Sequence, residues 1–381
     1  MACWIGGDCR DGGALPACRH SGRRAGLCRC CDGDERRICS AGHFLGHLRQ
    51  SRPLADARSI PLDRDFHSWR HRTSVRGWHL MSRPPVDWTF NGAWPYAPKW
   101  FDTLDGRLHY IDEGPRDGIP VVMVHGNPTW SYLYRRFIKA LTGWGFRAIA
   151  MDHLGFGRSD KPTRTPAYSI PAHADRCTAL LESLDLRDAV IVVQDWGGPI
   201  GLTWAARHPD RVTGLFILNT FFQRPVSAVP LPAILRAFRT PVLGEVLVKG
   251  AHAFVKGFLF QAGLNDRSRL TDLDKSAYLA PHPTWSSRTG PNGPISDFVA
   301  EEGAELERAF AAKPVKIVWP MRDVAFSPET LEKMWLKSFP HADVIRVEHA
   351  GHFIQEDAHE VVIPELMNFI ARPGAPSRVG R

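Results

Sequence analysis

Seven apolar runs rich in β-branched residues recur between residues 108 and 347, and stretches with helical spacing separate most of them. The runs are Leu108–Ile111, Val121–Val124, Ala148–Met151, Ala189–Val193, Val212–Leu218, Val315–Trp319 and Val344–Val347. The helical patterns are Tyr132–Leu141, Ala172–Leu184, Pro199–His208, Pro328–Phe339 and Glu360–Ile370. A short apolar run without polar alternation suits a strand buried on both faces, and parallel strands need the long crossovers that helices supply. The alternation therefore predicts an α/β fold, a mostly parallel sheet with helices on both faces. Between Phe221 and roughly Ala311 the strand signal stops. Leu243, Leu247, Ala251, Phe254 and Phe258 there follow a helical period, and Pro281–Pro294 is rich in Pro and Gly. An insertion of this length at the carboxyl ends of the strands reads as a helical cap over a site, residues 221–311, on a core formed by 81–220 and 312–372.

The net charge of +8 is unevenly spread. Residues 1–80 hold 14 Arg and no Lys against 8 Asp plus Glu, which is +6 of the total and leaves +2 for the remaining 301 residues. The globular part is nearly neutral, so no nucleic-acid partner is expected. Seven of the eight cysteines lie in the first 39 residues, without paired C-x-x-C units, and are not read as a zinc site. Residues 1–80 lack a sustained hydrophobic period and read as a disordered extension or a start chosen too early, with Met81 the preferred start; residues 373–381 read as a flexible tail. No apolar run reaches membrane-spanning length and no secretory signal is evident, so a cytoplasmic protein without a membrane partner is expected.

The stretch "VVQDWGG", residues 192–198, carries the chemistry. An apolar strand runs into a Gly-flanked turn and then a small-residue helix, the layout of a nucleophile elbow, with Asp195 where such turns commonly place serine. An ionised carboxylate needs no base to attack an electrophilic carbon, but the resulting ester needs an activated water for release. By itself Asp195 reads as a helix N-cap. Two further segments change that reading. In "EHAGHFIQED", residues 348–357, His352 follows a strand through Ala350-Gly351 and is preferred over His349 as the base. In "IVWPMRDVAF", residues 317–326, Asp323 follows another strand and completes the chain order nucleophile, acid, histidine. Asn219, at the end of the Val212–Leu218 strand, stands where an alternative acid could sit. His125-Gly126-Asn127-Pro128 follows the Val121–Val124 strand, the usual source of one oxyanion-hole amide. The Asn127 side-chain N–H and the Trp196 indole N–H are donors, and two fixed donors beside an attacking carboxylate suit a departing halide. Phe254, Phe258 and Phe260 are expected to build an apolar pocket.

"HGNPTWSYLYRR" (125–136), "MDHLGFGRSDKP" (151–162), "VVQDWGG" and "HAGHFIQED" together resemble the haloalkane dehalogenases, a branch of the α/β-hydrolase superfamily, and the similarity runs from about Asp87 to Arg372. The resemblance implies an α/β-hydrolase fold with a helical cap, a nucleophile at Asp195, a base at His352, an acid at Asp323 and halide donors at Asn127 and Trp196. It implies haloalkane and water as reactants and no metal or organic cofactor. Soluble epoxide hydrolases share the Asp-Trp-Gly elbow, but opening an epoxide typically uses two cap tyrosines in that family, and the segment 221–311 holds only Tyr278. A binding protein without catalysis has no need of all three triad positions. The turn Gly155–Asp160 lacks the third glycine of a dinucleotide fingerprint.

Overall fold

The structure is a computed structural model, and it describes residues 86–222, 233–238, 240–292 and 302–372. The expectations for residues 1–80 and 373–381 lie outside the described residues.

Eight strands form one sheet in the order β1-β2-β4-β3-β5-β6-β7-β8. They are β1 (Lys99–Thr103), β2 (Gly106–Glu113), β3 (Pro120–Val124), β4 (Arg147–Met151), β5 (Ala189–Asp195), β6 (Val212–Thr220), β7 (Val315–Pro320) and β8 (Asp343–Val347). β1 pairs antiparallel with β2, and β2 with β4; every other neighbour is parallel. Every residue of β3, β4 and β5 is buried, which is why these strands read as unbroken apolar runs. β1 escaped the sequence reading because "KWFDT" alternates half-buried with exposed residues at an edge and carries little apolar signal.

From β3 the chain steps to β4 on one side and then returns to place β5 on the other side of β3. This reversal opens a crevice at the carboxyl ends of β3 and β5, the position where open α/β sheets hold their ligands. Helices α1 (Arg135–Gly143), α2 (Ile170–Ser183) and α3 (Gly197–Arg207) supply the crossovers. Ser169 caps α2 by accepting the Ala172 amide, and Pro171 occupies the first turn, where its missing N–H costs nothing. α3 is buried from Gly197 to Ala206, consistent with its small, apolar composition.

The insertion between β6 and β7 departs from its expected pattern. Its apolar helix is two wide-turn segments, Val246–Gly250 and Phe254–Ala262, interrupted at His252, where φ is +56°. Hydrogen bonds of i→i+5 type shift the phase of the buried stripe. Leu243, in the α-helical turn before these segments, and Ala251 are exposed, while Val248, Val255 and Leu259 join Phe254 and Phe258 in the interior. The later helix Asp272–Leu279 begins with a capping box between Thr271 and Asp274.

A buried charge cluster ties this insertion to the core. Arg135 of α1 grips Glu356 through Nη1–Oε1 at 2.6 Å and Nη2–Oε2 at 2.9 Å, and its Nη2 lies 2.8 Å from Asp274 Oδ1. Tyr132 donates to Asp274 at 2.9 Å and Tyr278 to Glu356 at 2.5 Å. Glu356 is four residues past His352, so the same cluster braces the histidine loop. Among the described residues no helix is long and apolar enough to cross a membrane.

Candidate active site

β5 ends at Gln194-Asp195, and the chain turns at Asp195 with φ +50°. That left-handed value costs a non-glycine residue about 1–3 kcal/mol, and it projects the side chain from the tip of the turn. Two glycines make the turn possible. A Cβ on Gly197 would lie 2.0 Å from the Val124 carbonyl oxygen, and one on Gly126 would lie 2.4 Å from Asp195 Cβ and Oδ1. The Thr220 hydroxyl donates to the Asp195 backbone carbonyl and ties the turn to β6.

The two oxygens of the carboxylate have different surroundings. Asn127 N–H donates to Oδ1 at 2.8 Å, and the Trp196 backbone amide also donates to the carboxylate. Oδ2 lies 3.8 Å from His352 Nε2. Burial pushes the Asp195 carboxyl above the usual carboxylate range; His352 and the two amides act in the opposite sense, and Asp323 adds to the rise.

His352 is fully buried, and its Nδ1 lies 3.0 and 3.1 Å from the two oxygens of Asp323. The carboxylate can only accept, so Nδ1 carries the hydrogen in the neutral ring and Nε2 presents its lone pair on the side of Asp195. Asp323 is itself fixed, with Oδ1 accepting from Ala325 N–H and Oδ2 from Asn219 Nδ2, each at 2.6 Å. Burial disfavours the imidazolium, but Asp323, through charge and hydrogen bond, and Asp195 carry the His352 pKa above the usual imidazole value. His349 is exposed on the loop between β8 and His352.

The structure thus brings together Asp195, His352 and Asp323, with Asn127 and Trp196 on either side of the elbow. The Asn127 side-chain amide is not free, because Nδ2 donates to the Pro291 carbonyl of the insertion at 3.1 Å. One of its two N–H groups is thereby committed, and its Oδ1 is buried without a partner. The Trp196 indole is buried between Phe156 and His173, and its N–H has no acceptor among the described residues. Phe258 packs on the imidazole with ring centroids 5.2 Å apart, and Phe254 stacks on Phe258 at 5.5 Å. Phe260 is buried on the same segment, but its ring makes no aromatic contact with the imidazole among the described residues.

Four neighbours of the histidine were not anticipated as site residues. Phe326 and Phe353 flank the ring at 5.8 and 4.7 Å, and the carboxamides of Asn219 and Gln194 lie against it. A carboxamide next to the nucleophile at a strand end is a weak sequence signal for Gln194; Phe326 had none. Among the described residues no group of three or more His, Cys, Asp or Glu side chains could hold a metal ion.

The model of the alpha/beta hydrolase fold family matches residues 119–359. A cis-3-alkyl-4-alkyloxetan-2-one decarboxylase of Shewanella oneidensis is 36% identical over 289 residues, covering 72% of this chain and 89% of that protein. A haloalkane dehalogenase of Mycolicibacterium paratuberculosis is 37% identical over 303 residues, covering 73% of this chain and 94% of that one. Among solved structures, haloalkane dehalogenase DbeA from Bradyrhizobium elkani superposes with a TM-score of 0.62 at 28% identity, over 72% of this chain and 97% of that one.

Proposed function

Because the chain belongs to the α/β-hydrolase family, in the branch that holds haloalkane dehalogenases and oxetan-2-one decarboxylases, we propose that it hydrolyses small apolar haloalkanes. The products are an alcohol, a halide ion and a proton. The observation that carries this reading is the division of labour at Asp195, with Oδ1 held by the Asn127 backbone amide and Oδ2 facing the imidazole.

In the first step Oδ2 attacks the halogen-bearing carbon, and the electron pair of the carbon–halogen bond leaves with the halide. The Trp196 indole N–H and the uncommitted N–H of Asn127 receive that ion. The second step consumes water. His352 Nε2 takes one proton while the oxygen adds to the ester carbon, and negative charge collects on Oδ1. The Asn127 amide already points there, contributing about 3 kcal/mol by the usual worth of such a donor, and the Trp196 amide donates to the same carboxylate. Collapse expels the alkoxide, which takes the proton from His352, and leaves Asp195 as the acid, whose ionisation restores the carboxylate and releases the product proton. Phe254, Phe258 and Phe260 serve as the apolar wall, no metal or organic cofactor enters any step, and a cytoplasmic location belongs to the same proposal. Epoxide opening fits less well, since the Tyr278 hydroxyl is buried and donates to Glu356 rather than facing Asp195.

A single turnover in ¹⁸O-water tests the scheme. The alcohol should carry no label, because its oxygen comes from Asp195, and the label should appear in the peptide containing Asp195. A labelled alcohol with an unlabelled peptide means that water attacks the substrate directly and overturns the scheme.

The 36% identity to an oxetan-2-one decarboxylase favours a second reading. The same carboxylate can displace a carboxylate leaving group from the saturated ring carbon of a β-lactone. Loss of CO₂ with expulsion of Asp195 then gives an alkene, without water. Offering bromoalkanes and a cis-disubstituted β-lactone in parallel separates the two readings, by bromide release in one and by alkene with CO₂ in the other.

A further inference from the structure

The Gln194 side chain sits against His352 at two points. Its Nε2 lies 3.2 Å from His352 Nε2 and 3.3 Å from the His352 carbonyl oxygen. A carbonyl oxygen only accepts, so it fixes which end of the carboxamide faces the histidine: the NH₂ group, with Oε1 turned away, buried and unpartnered. The second N–H therefore meets Nε2, the ring nitrogen that does not face Asp323, and donates into its lone pair. Asn219 behaves alike on the opposite edge, with Nδ2 given to the His352 carbonyl at 2.8 Å and to Asp323 at 2.6 Å, and with Oδ1 buried and unpartnered. Each carboxamide leaves an acceptor unsatisfied while its N–H groups face His352 or its acid, Asp323.

We propose that Gln194 is a positioning residue that holds His352 in its proton-accepting state, by presenting an N–H donor to the same nitrogen that must take a proton from water. The charged groups facing the imidazole are Asp323 from the loop after β7 and Asp195 from the end of β5, and both favour imidazolium. The remaining faces carry Phe258 from the insertion, Phe326 and Phe353, which are uncharged. Both carboxylates favour the imidazolium, and a protonated ring cannot serve as a base. Among the described residues Gln194 is the one polar group at Nε2 that opposes this, since a proton there would bring N–H against N–H. The inference rests on His352 acting as the base in the reading above.

The experiment titrates His352 by ¹⁵N imidazole NMR in the full-length, substrate-free protein, with its signals assigned by their loss in His352→Gln. Gln194→Met keeps the length of the side chain and removes the donor, and Gln194→Glu replaces the donor with a charged acceptor. The midpoint should rise in Gln194→Met and rise further in Gln194→Glu, by about one pH unit or more. The acid limb of ester hydrolysis should move with it, so that activity lost at low pH returns at high pH. Should one variant fail to fold, the other carries the same test. A midpoint that stays in place or falls overturns the proposal. No substrate is needed for the titration, so it can fail while wild-type halide release still supports dehalogenation, and the reverse also holds.

Discussion

Replacing Asp323 with Asn changes one oxygen to NH₂ at nearly constant shape, and the surroundings make the consequence calculable. Both carboxylate oxygens accept from fixed donors at 2.6 Å, Oδ1 from the Ala325 amide and Oδ2 from Asn219 Nδ2, while both also lie within 3.1 Å of His352 Nδ1. Whichever way the new amide turns, its NH₂ faces a donor, and one buried N–H is left unsatisfied at a cost of about 1–3 kcal/mol in stability. The catalytic cost is larger. When His352 takes a proton from water it becomes a cation beside a carboxylate, and at a charge separation of ~4 Å with an effective dielectric near 20 that attraction is about 4 kcal/mol. Losing it slows ester hydrolysis by about a thousandfold. The first step does not use His352, so the covalent adduct should form at near the wild-type rate and then persist. Rapid quench with a bromoalkane should give a stoichiometric bromide burst followed by very slow turnover, with the alkyl mass found on Asp195. A variant that turns over within tenfold of wild type, or that shows neither burst nor adduct while folded, refutes the assignment of Asp323.

Trp196→Phe keeps the ring but removes an indole N–H that no described residue accepts. Inhibition of turnover by bromide should weaken about 10- to 100-fold, the worth of one hydrogen bond to an ion, and an unchanged inhibition constant removes the indole from halide binding. Glu356→Ala strips Arg135 of its bidentate partner in the buried cluster and should destabilise the fold by about 3–5 kcal/mol in urea titration; a loss below about 1 kcal/mol means the cluster does not hold the insertion to the core. Turnover should fall on the acid side. The base must be neutral to work and its pKa is displaced upward from 6.5, so activity should rise through a midpoint above 6.5 and level off on the alkaline side. Asp195 must be charged to attack, and its upward displacement adds a second loss at lower pH. A titration of His352 in the substrate-free protein with its midpoint at or below 6.5 contradicts the His352 shift.

Sequence alone determined what is local or periodic. A strand buried on both faces must be apolar throughout, so β3 to β7 were legible as runs, and their alternation with helices required a mostly parallel sheet. The order Asp195, Asp323, His352, each at a strand end, was also legible, because carboxyl ends of parallel strands meet at one edge of the sheet. What depends on contacts between distant residues was decided only by tertiary structure. The exposure of Ala251 follows from a change in helical winding, which a period of 3.6 cannot reveal. The commitment of Asn127 to the Pro291 carbonyl joins residues 164 positions apart, and Gln194 and His352 meet across 158. A hydrogen bond between such partners leaves no trace in either local segment, since its direction depends on where the folded backbone places one particular carbonyl oxygen.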